Sequence, residues 1–276
     1  MKNKVKQALP SPIIICGMHR CGTSLISRIL NGLGVFMGSD LEENHESISI
    51  SALNDELLKY THSYWDQIDG AFSFFDNKEA CRQLSQVLEN TISTKPFFKP
   101  YLGKQKIKDI KYWGWKDPRN TITFPLWLSA FPNAKILFIY RNGIDTAASL
   151  IAREKKHNFD VTVPAYSTRS ANYMGAFSLW NDYNTFFLKH KEKITPKNLL
   201  EIKYEDFLIE PEKFLHAISN FIGFTIDNEI IRNLSAKINA ERAYPFTKNP
   251  KLIEFYNQIK NNPTLVGLGY KDLTNE

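Results

Sequence analysis

The stretch SPIIICGMHRCGTSLISRILNGLG, residues 11 to 34, joins a β-branched apolar run to a glycine loop and then to apolar residues at helical spacing that end at a glycine. It reads as strand, loop and helix. Gly17 and Gly22 have the separation of the G-x-x-x-x-G-K-[ST] loop that wraps nucleoside triphosphates, but Thr23 stands where that loop has its lysine. The nearest cation has moved back to Arg20. Loop N–H groups and the positive end of the following helix converge on one spot, so an anion site lined by Arg20, Gly22, Thr23 and Ser24 is expected. Without the lysine a triphosphate is disfavoured and a single phosphate suits the loop better. The plain alternative is an ordinary strand-to-helix turn with a hydroxyl N-cap.

Outward from this unit the same alternation recurs. Strands are expected at YWGWK (112–116), AKILFIY (134–140) and NLLEIKY (198–204). Helices are expected at ISISALNDELLKY (48–60), NKEACRQLSQVLENTI (77–92), around TFPLWLSAF (123–131), at IDTAASLIAREKK (144–156), over about 166–190 and at PEKFLHAISNFIG (211–223). Strands alternating with helices indicate α/β architecture, here a P-loop-like three-layer αβα fold with a central, mainly parallel sheet. A single domain over 12–276, preceded by a flexible tail at 1–11, is the expected organisation. KPFFKPYLGKQKIKDIK (95–111), with two prolines, reads as a loop. Its lysines interleave with Phe97, Phe98 and Tyr101, a pattern that suits single-stranded nucleic acid or an anionic saccharide, although a solvated loop explains it more simply. The aromatics from Tyr60 to Phe75 allow sugar stacking, with core packing as the simpler account.

Composition narrows the class. With 276 residues, 43% of them hydrophobic, the chain can bury a sizeable core. A net charge of +6 favours anionic ligands without marking a dedicated nucleic-acid binder, and no nucleic-acid partner is expected. Cys16, Cys21 and Cys81 form no C-x-x-C pair, which favours a reducing compartment. The six histidines show no H-E-x-x-H pattern, so no metal site is expected. No apolar run approaches the ~18 to 20 residues of a membrane span. MKNKVKQALPSP lacks the apolar core of a signal peptide, and a cytoplasmic location is the expectation.

A second constellation is YRNGIDTAASL, in which Arg141 leaves the end of an apolar strand and Ser149 follows eight positions later in the next helix. A strand-end arginine and a hydroxyl in the following helix can meet on another phosphate at the carboxyl edge of an open α/β sheet. Taken singly, Arg141 is a surface ion-pair residue and Ser149 a packing residue.

Taken together, these blocks resemble the sulfotransferases that use 3′-phosphoadenosine 5′-phosphosulfate (PAPS), particularly the tyrosylprotein-type and bacterial members. Arg20-Cys21-Gly22-Thr23-Ser24 is similar to the family's [RK]-x-G-T-[ST] loop, which binds the 5′-phosphosulfate. Arg141 and Ser149 resemble its pair for the 3′-phosphate. WKDPR (115–119), KYEDFLIEPEKFLHAISNFIGF (203–224) and GLGY (267–270) resemble further family segments in the same order. The resemblance implies metal-independent, in-line sulfuryl transfer from PAPS to an acceptor hydroxyl, with a saccharide or another small biomolecule as the expected acceptor.

Roles follow from that likeness and from charge. Arg20, the loop amides and Lys116 would stabilise the departing phosphate oxygen, by analogy with loose phosphoryl transfer. Lys116 could instead pair with Asp117. The base is sought in ENHES, where Glu46 falls on the position of the family's glutamate and His45 on its aromatic position. The sequence leaves the two open, and Glu46 also suits a helix N-terminus. Tyr204 would lie near the adenine or the donor phosphates, with core packing as its bland role, and Asp206 reads as the cap of the following helix. The competing functions are a P-loop kinase or nucleoside triphosphatase, and a non-catalytic nucleotide-binding module on the same scaffold.

Overall fold

The computed structural model describes residues 10–93, 95–156 and 166–273. Of the expected tail, residues 1–9 lie outside the described residues. Strands β1 (Ile13–Cys16), β2 (Gly114–Lys116), β3 (Lys135–Tyr140) and β4 (Leu199–Lys203) form one sheet in the order β2-β1-β3-β4. Every neighbouring pair is parallel, with Ile15 opposite Lys116 and Leu137, and Tyr140 opposite Lys203. Four β-branched or apolar residues in β1 bury completely because the strand is central and both its faces are covered.

The pleat sends alternate side chains to two separate cores. Ile14, Cys16, Ile136 and Phe138 join an aromatic core that includes Trp113, Trp115, Trp127, Trp180 and Phe187. Ile13, Ile15, Leu137 and Ile139 join an aliphatic core with Ile26, Leu30, Leu215 and Ile218. Helices α1 (Thr23–Gly32), α9 (Tyr204–Ile209) and α10 (Pro211–Ile222) contribute to the aliphatic side. The aromatic side takes α2 (Ile48–Tyr60), α4 (Lys78–Ile92), α6 (Asn120–Ala130), α7 (Gly143–Lys156) and α8 (Tyr173–His190). Phe138 of β3 stacks on Phe187 of α8 with ring centroids 3.6 Å apart, fastening the longest helix to the sheet. The architecture is the three-layer αβα fold with a parallel sheet.

Some local expectations are corrected. Residues 95–102 form a helix, α5 (Lys95–Leu102), where the lysines and prolines suggested a loop. Phe98 and Tyr101, three apart, are fully buried, and the Tyr101 hydroxyl donates to the carbonyls of Phe36 (3.0 Å) and Gly114 (2.6 Å). The aromatic spacing is a core face, not a binding strip. The aromatic helix starts at Tyr173 rather than 166, because the Asn172 side chain accepts from Gly175 N at 2.8 Å and caps it there. Asp206 sits inside the first turn of α9, and α10 is entered through Glu210 without a side-chain cap. Four further helices, α3 (Asp69–Asp76), α11 (Asn228–Ser235), α12 (Pro250–Ile259) and α13 (Pro263–Gly267), carry no sequence-based expectation. In and beside α3, Phe75 is buried, whereas Tyr60 and Tyr64 are more than half exposed. Among the described residues no helix is long and apolar enough to cross a membrane.

Candidate functional site

The site forms at the carboxyl edge of the sheet, where the order switches: the chain leaves β1 toward β2 on one side, and β3 lies on the other. The loop after β1 is anchored from α6. Gly17 N donates to Thr121 Oγ1 at 2.8 Å, and the buried Asn120 side chain donates to the Ile15 carbonyl at 2.9 Å. WKDPRNT therefore holds the loop as well as supplying Lys116.

Two backbone positions shape the loop. Gly22 is the N-cap of α1 with φ 99°, and no side chain caps the helix, so the hydroxyl-capped turn is not what forms here. A Cβ on Gly22 would stand 2.3 Å from the Tyr204 ring, which leaves glycine as the residue that fits. Arg20 adopts φ 71°, a left-handed conformation that strains a non-glycine residue by about 1–3 kcal/mol. Tertiary bonds hold it there: its Nε donates to Ser149 Oγ at 3.0 Å, and its carbonyl accepts from Arg141 Nη1 at 3.4 Å.

Arg20 and Arg141 face the same cavity, of about 940 Å³, which Gly22, Thr23, Ser24, Ser149 and Tyr204 also line. The two expected anion subsites are thus adjacent, and the Arg20 guanidinium bridges them by resting on Ser149. Arg141 lies over the Tyr204 ring, 5.3 Å from its centroid, and 3.8 Å from Asp145. Burial, followed by repulsion from Arg153 and Arg141, lowers the Arg20 pKa from its ordinary value. Cys21 turns inward, its thiol on the Ile139 carbonyl at 3.1 Å and its pKa pushed up to about 12 by burial, so it packs the loop from beneath.

Lys116 and Glu46 meet on the same cavity wall. Lys116 Nζ is 2.6 Å from Glu46 Oε1 and 3.3 Å from the Asn44 carbonyl, while Asp117 pairs with Arg119 Nε at 2.8 Å. The Lys116–Asp117 pairing considered from sequence does not form. Ser47, not Glu46, caps α2, and Arg119 Nη2 lies 3.6 Å from the second Glu46 oxygen. Burial pushes the Glu46 carboxyl above the ordinary value of 4.5 even though Lys116 and Arg119 pull it down. His45 differs: it does not line the cavity, its backbone is left-handed at φ 62°, and its pKa is lowered by burial and by Arg28.

The cavity holds further residues that the motifs did not single out. Arg28, Arg153, Lys156 and Arg242 line it, as does His19. Helical spacing could have found two of them, since Arg28 follows Ser24 by four and Arg153 follows Ser149 by four. His19 packs edge-on to Trp65, ring centroids 4.8 Å apart. Burial and the nearby Arg153, Arg119 and Lys116 hold its pKa well below the usual imidazole range. Arg242 and the neighbouring Phe246 come from beyond residue 240, where the sequence offered no phosphate-binding pattern.

Several known proteins share part of this sequence or its fold. Protein-tyrosine sulfotransferase A of Caenorhabditis elegans is 25% identical over 118 residues, 43% of this chain and 29% of its own length. Sulfotransferase 6B1 of Mus musculus is 31% identical over 113 residues, 40% of this chain and 36% of its own length, so the matched stretch is about a third of each relative. The solved structure of sulfotransferase STF1 from Mycobacterium tuberculosis superposes with a TM-score of 0.52 at 15% identity, covering 83% of this chain and 71% of that one, which is a likeness of fold. The family model described as "Sulfotransferase family" matches residues 12–228, a span that includes the β1 loop, Glu46, Lys116, Arg141, Ser149 and Tyr204. With that match over most of its length and this loop geometry at the sheet edge, the chain belongs to the Sulfotransferase family.

Proposed function

We propose that this protein transfers the sulfuryl group of PAPS to an acceptor hydroxyl on a saccharide or another small biomolecule. The observation that carries the reading is a single cavity lined by Arg20, Ser24, Glu46, Lys116, Arg141 and Ser149. Cations for two phosphate groups and a carboxylate share one space. The residues fit such a donor: Arg141 Nε is buried without a hydrogen-bond partner among the described residues, and the α1 N-terminus has no side-chain cap. PAPS would supply the activated sulfuryl group.

The chain's own residues would do the rest. Arg141 and Ser149 hold the ribose 3′-phosphate. Arg20, the loop amides and Lys116 stabilise charge on the departing phosphate oxygen, a contribution of electrostatic preorganisation. Because Arg20 already rests on Ser149, donor binding has to share or exchange that contact. Glu46 takes the acceptor proton; its raised pKa brings it nearer the neutral range in which a general base works best. Its contact with Lys116 links the group that accepts the proton to the group that meets the leaving oxygen.

Thermal shift tests the donor. 3′,5′-Bisphosphoadenosine should raise Tm, by about 2.7 kcal/mol of added stability at a hundred times Kd, and ATP with magnesium should not. Preference for ATP with magnesium overturns the reading in favour of a kinase or nucleoside triphosphatase. Labelled sulfate transfer to saccharides, small alcohols and tyrosyl peptides then assigns the acceptor, with tyrosyl transfer as the competing result because relatives include protein-tyrosine sulfotransferases.

A further inference from the structure

Behind Arg141 lies a chain of buried polar groups that reaches the carboxyl-terminal segment. Glu205, fully buried, accepts at Oε1 from both Asn142 N (2.9 Å) and Asn142 Nδ2 (2.6 Å). Asn142 in turn donates to Asp145 Oδ2 at 2.7 Å and accepts from Asp145 N at 2.8 Å. Asp145 Oδ2 lies 3.8 Å from Arg141 Nη2, and its other oxygen accepts from Phe246 N at 3.0 Å. At the far end, the Tyr270 hydroxyl donates to Glu205 Oε2 at 2.8 Å. Tyr270 and Asn142 are fully buried, and Asp145 nearly so.

A buried carboxylate needs its lone pairs filled, and in this chain filling them fixes the residue directly after Arg141. Both hydrogen bonds from Asn142 to Glu205 orient the strand end, while Asp145 orients the guanidinium. Tyr270 supplies the donor for the remaining Glu205 oxygen, so removing its hydroxyl loosens the anchor on which Arg141 stands. Tyr270 lies outside the span matched by the family model, which ends at residue 228, and it does not line the cavity.

We propose that Tyr270 and Glu205 are positioning residues of the anion site: through Asn142 and Asp145 they hold Arg141 in the orientation that receives a ribose 3′-phosphate. This rests on the donor reading above. The Tyr270→Phe variant keeps the ring, over which Lys203 Nζ lies at 4.5 Å, and removes only the hydroxyl. Titration calorimetry with 3′,5′-bisphosphoadenosine and, separately, with adenosine 5′-monophosphate separates positioning from general loosening. The expected result is a loss of about three- to tenfold in affinity for the bisphosphate, as for one hydrogen bond, with affinity for the monophosphate unchanged. Glu205→Gln, which turns an acceptor into a donor toward one neighbour, should lose at least as much. On an Arg141→Ala background the Tyr270→Phe effect should vanish, because the coupling runs through that guanidinium. Equal losses for both nucleotides, no loss at all, or an unchanged effect on the Arg141→Ala background would each overturn the proposal. Failure of the wild-type protein to bind the bisphosphate would instead count against the donor reading.

Discussion

Gly22→Ala offers the sharpest test of the loop geometry. The substitution asks an L-residue to adopt φ 99°, outside the ordinary right-handed region, at a cost of about 1–2 kcal/mol. It also sets a Cβ 2.3 Å from two atoms of the Tyr204 ring, a separation that real contacts do not show, so the ring must move. Tyr204 is 6% exposed, and displacing a packed ring adds about 1–3 kcal/mol. The sum, about 2–5 kcal/mol, corresponds to a fall in Tm of about 3–9 °C for a chain of this size. Because Arg141 lies over the same ring, affinity for 3′,5′-bisphosphoadenosine should fall with it. Urea denaturation of Gly22→Ala, Tyr204→Ala and the double variant apportions the loss: the collision part, about 1–3 kcal/mol, should appear as a favourable coupling in the double variant. A Gly22→Ala protein within 0.5 kcal/mol of wild type, on the order of a neutral surface change, with unchanged nucleotide affinity, would refute the packing of Gly22 under Tyr204.

Other consequences concern the chemistry and its pH dependence. Glu46→Gln should lower sulfuryl transfer by about 10²–10⁴-fold while leaving bisphosphate binding intact, as measured by single-turnover kinetics and calorimetry. Since the Glu46 pKa is raised, the wild-type rate should climb with pH through an apparent pKa above 4.5, and that acid limb should be missing from the residual rate of Glu46→Gln. Lys116→Ala should cost about 10²–10³-fold in kcat, as for the loss of one oxyanion-type donor; an unchanged kcat would remove Lys116 from the leaving-group role. Burial lowers the His19 pKa in the folded protein, so below its ordinary value of 6.5 the unfolded chain binds more protons there than the folded one. Its contribution to stability is complete above 6.5 and is lost as pH falls below it, with a slope of up to about 1.4 kcal/mol per pH unit. In urea titrations from pH 7 to 5, His19→Phe should give the shallower dependence, and identical slopes would contradict the burial of that imidazole.

The alternation of apolar strands with amphipathic helices was enough to identify a parallel α/β sheet, because local period and tertiary burial demand the same residues in β1, β3 and α1. Glycine spacing and the strand-end arginine likewise pointed to residues that line the cavity, since the pull of backbone N–H groups and a guanidinium on phosphate is local. At 95–102 Pro and Lys speak for a loop, whereas the burial of Phe98 and Tyr101 against Trp113 is decided only in three dimensions. Of Glu46 and His45, neighbours in the chain, the backbone turn at φ 62° sends only Glu46 to the cavity, where Lys116, 70 positions away, bonds it.

What the amino-acid order determined by itself is the loop, the helix that follows it and the arginine set within the loop. Tertiary structure alone decided that Arg20 and Ser149, 129 positions apart, touch, that Tyr204 fills the space a side chain on Gly22 would need, and that Tyr270 supports Glu205 behind Arg141. The physical reason is range: hydrogen-bonding and periodic preferences act over a few residues, while the partners of a buried charge are chosen by which distant segments the sheet and its two cores bring together.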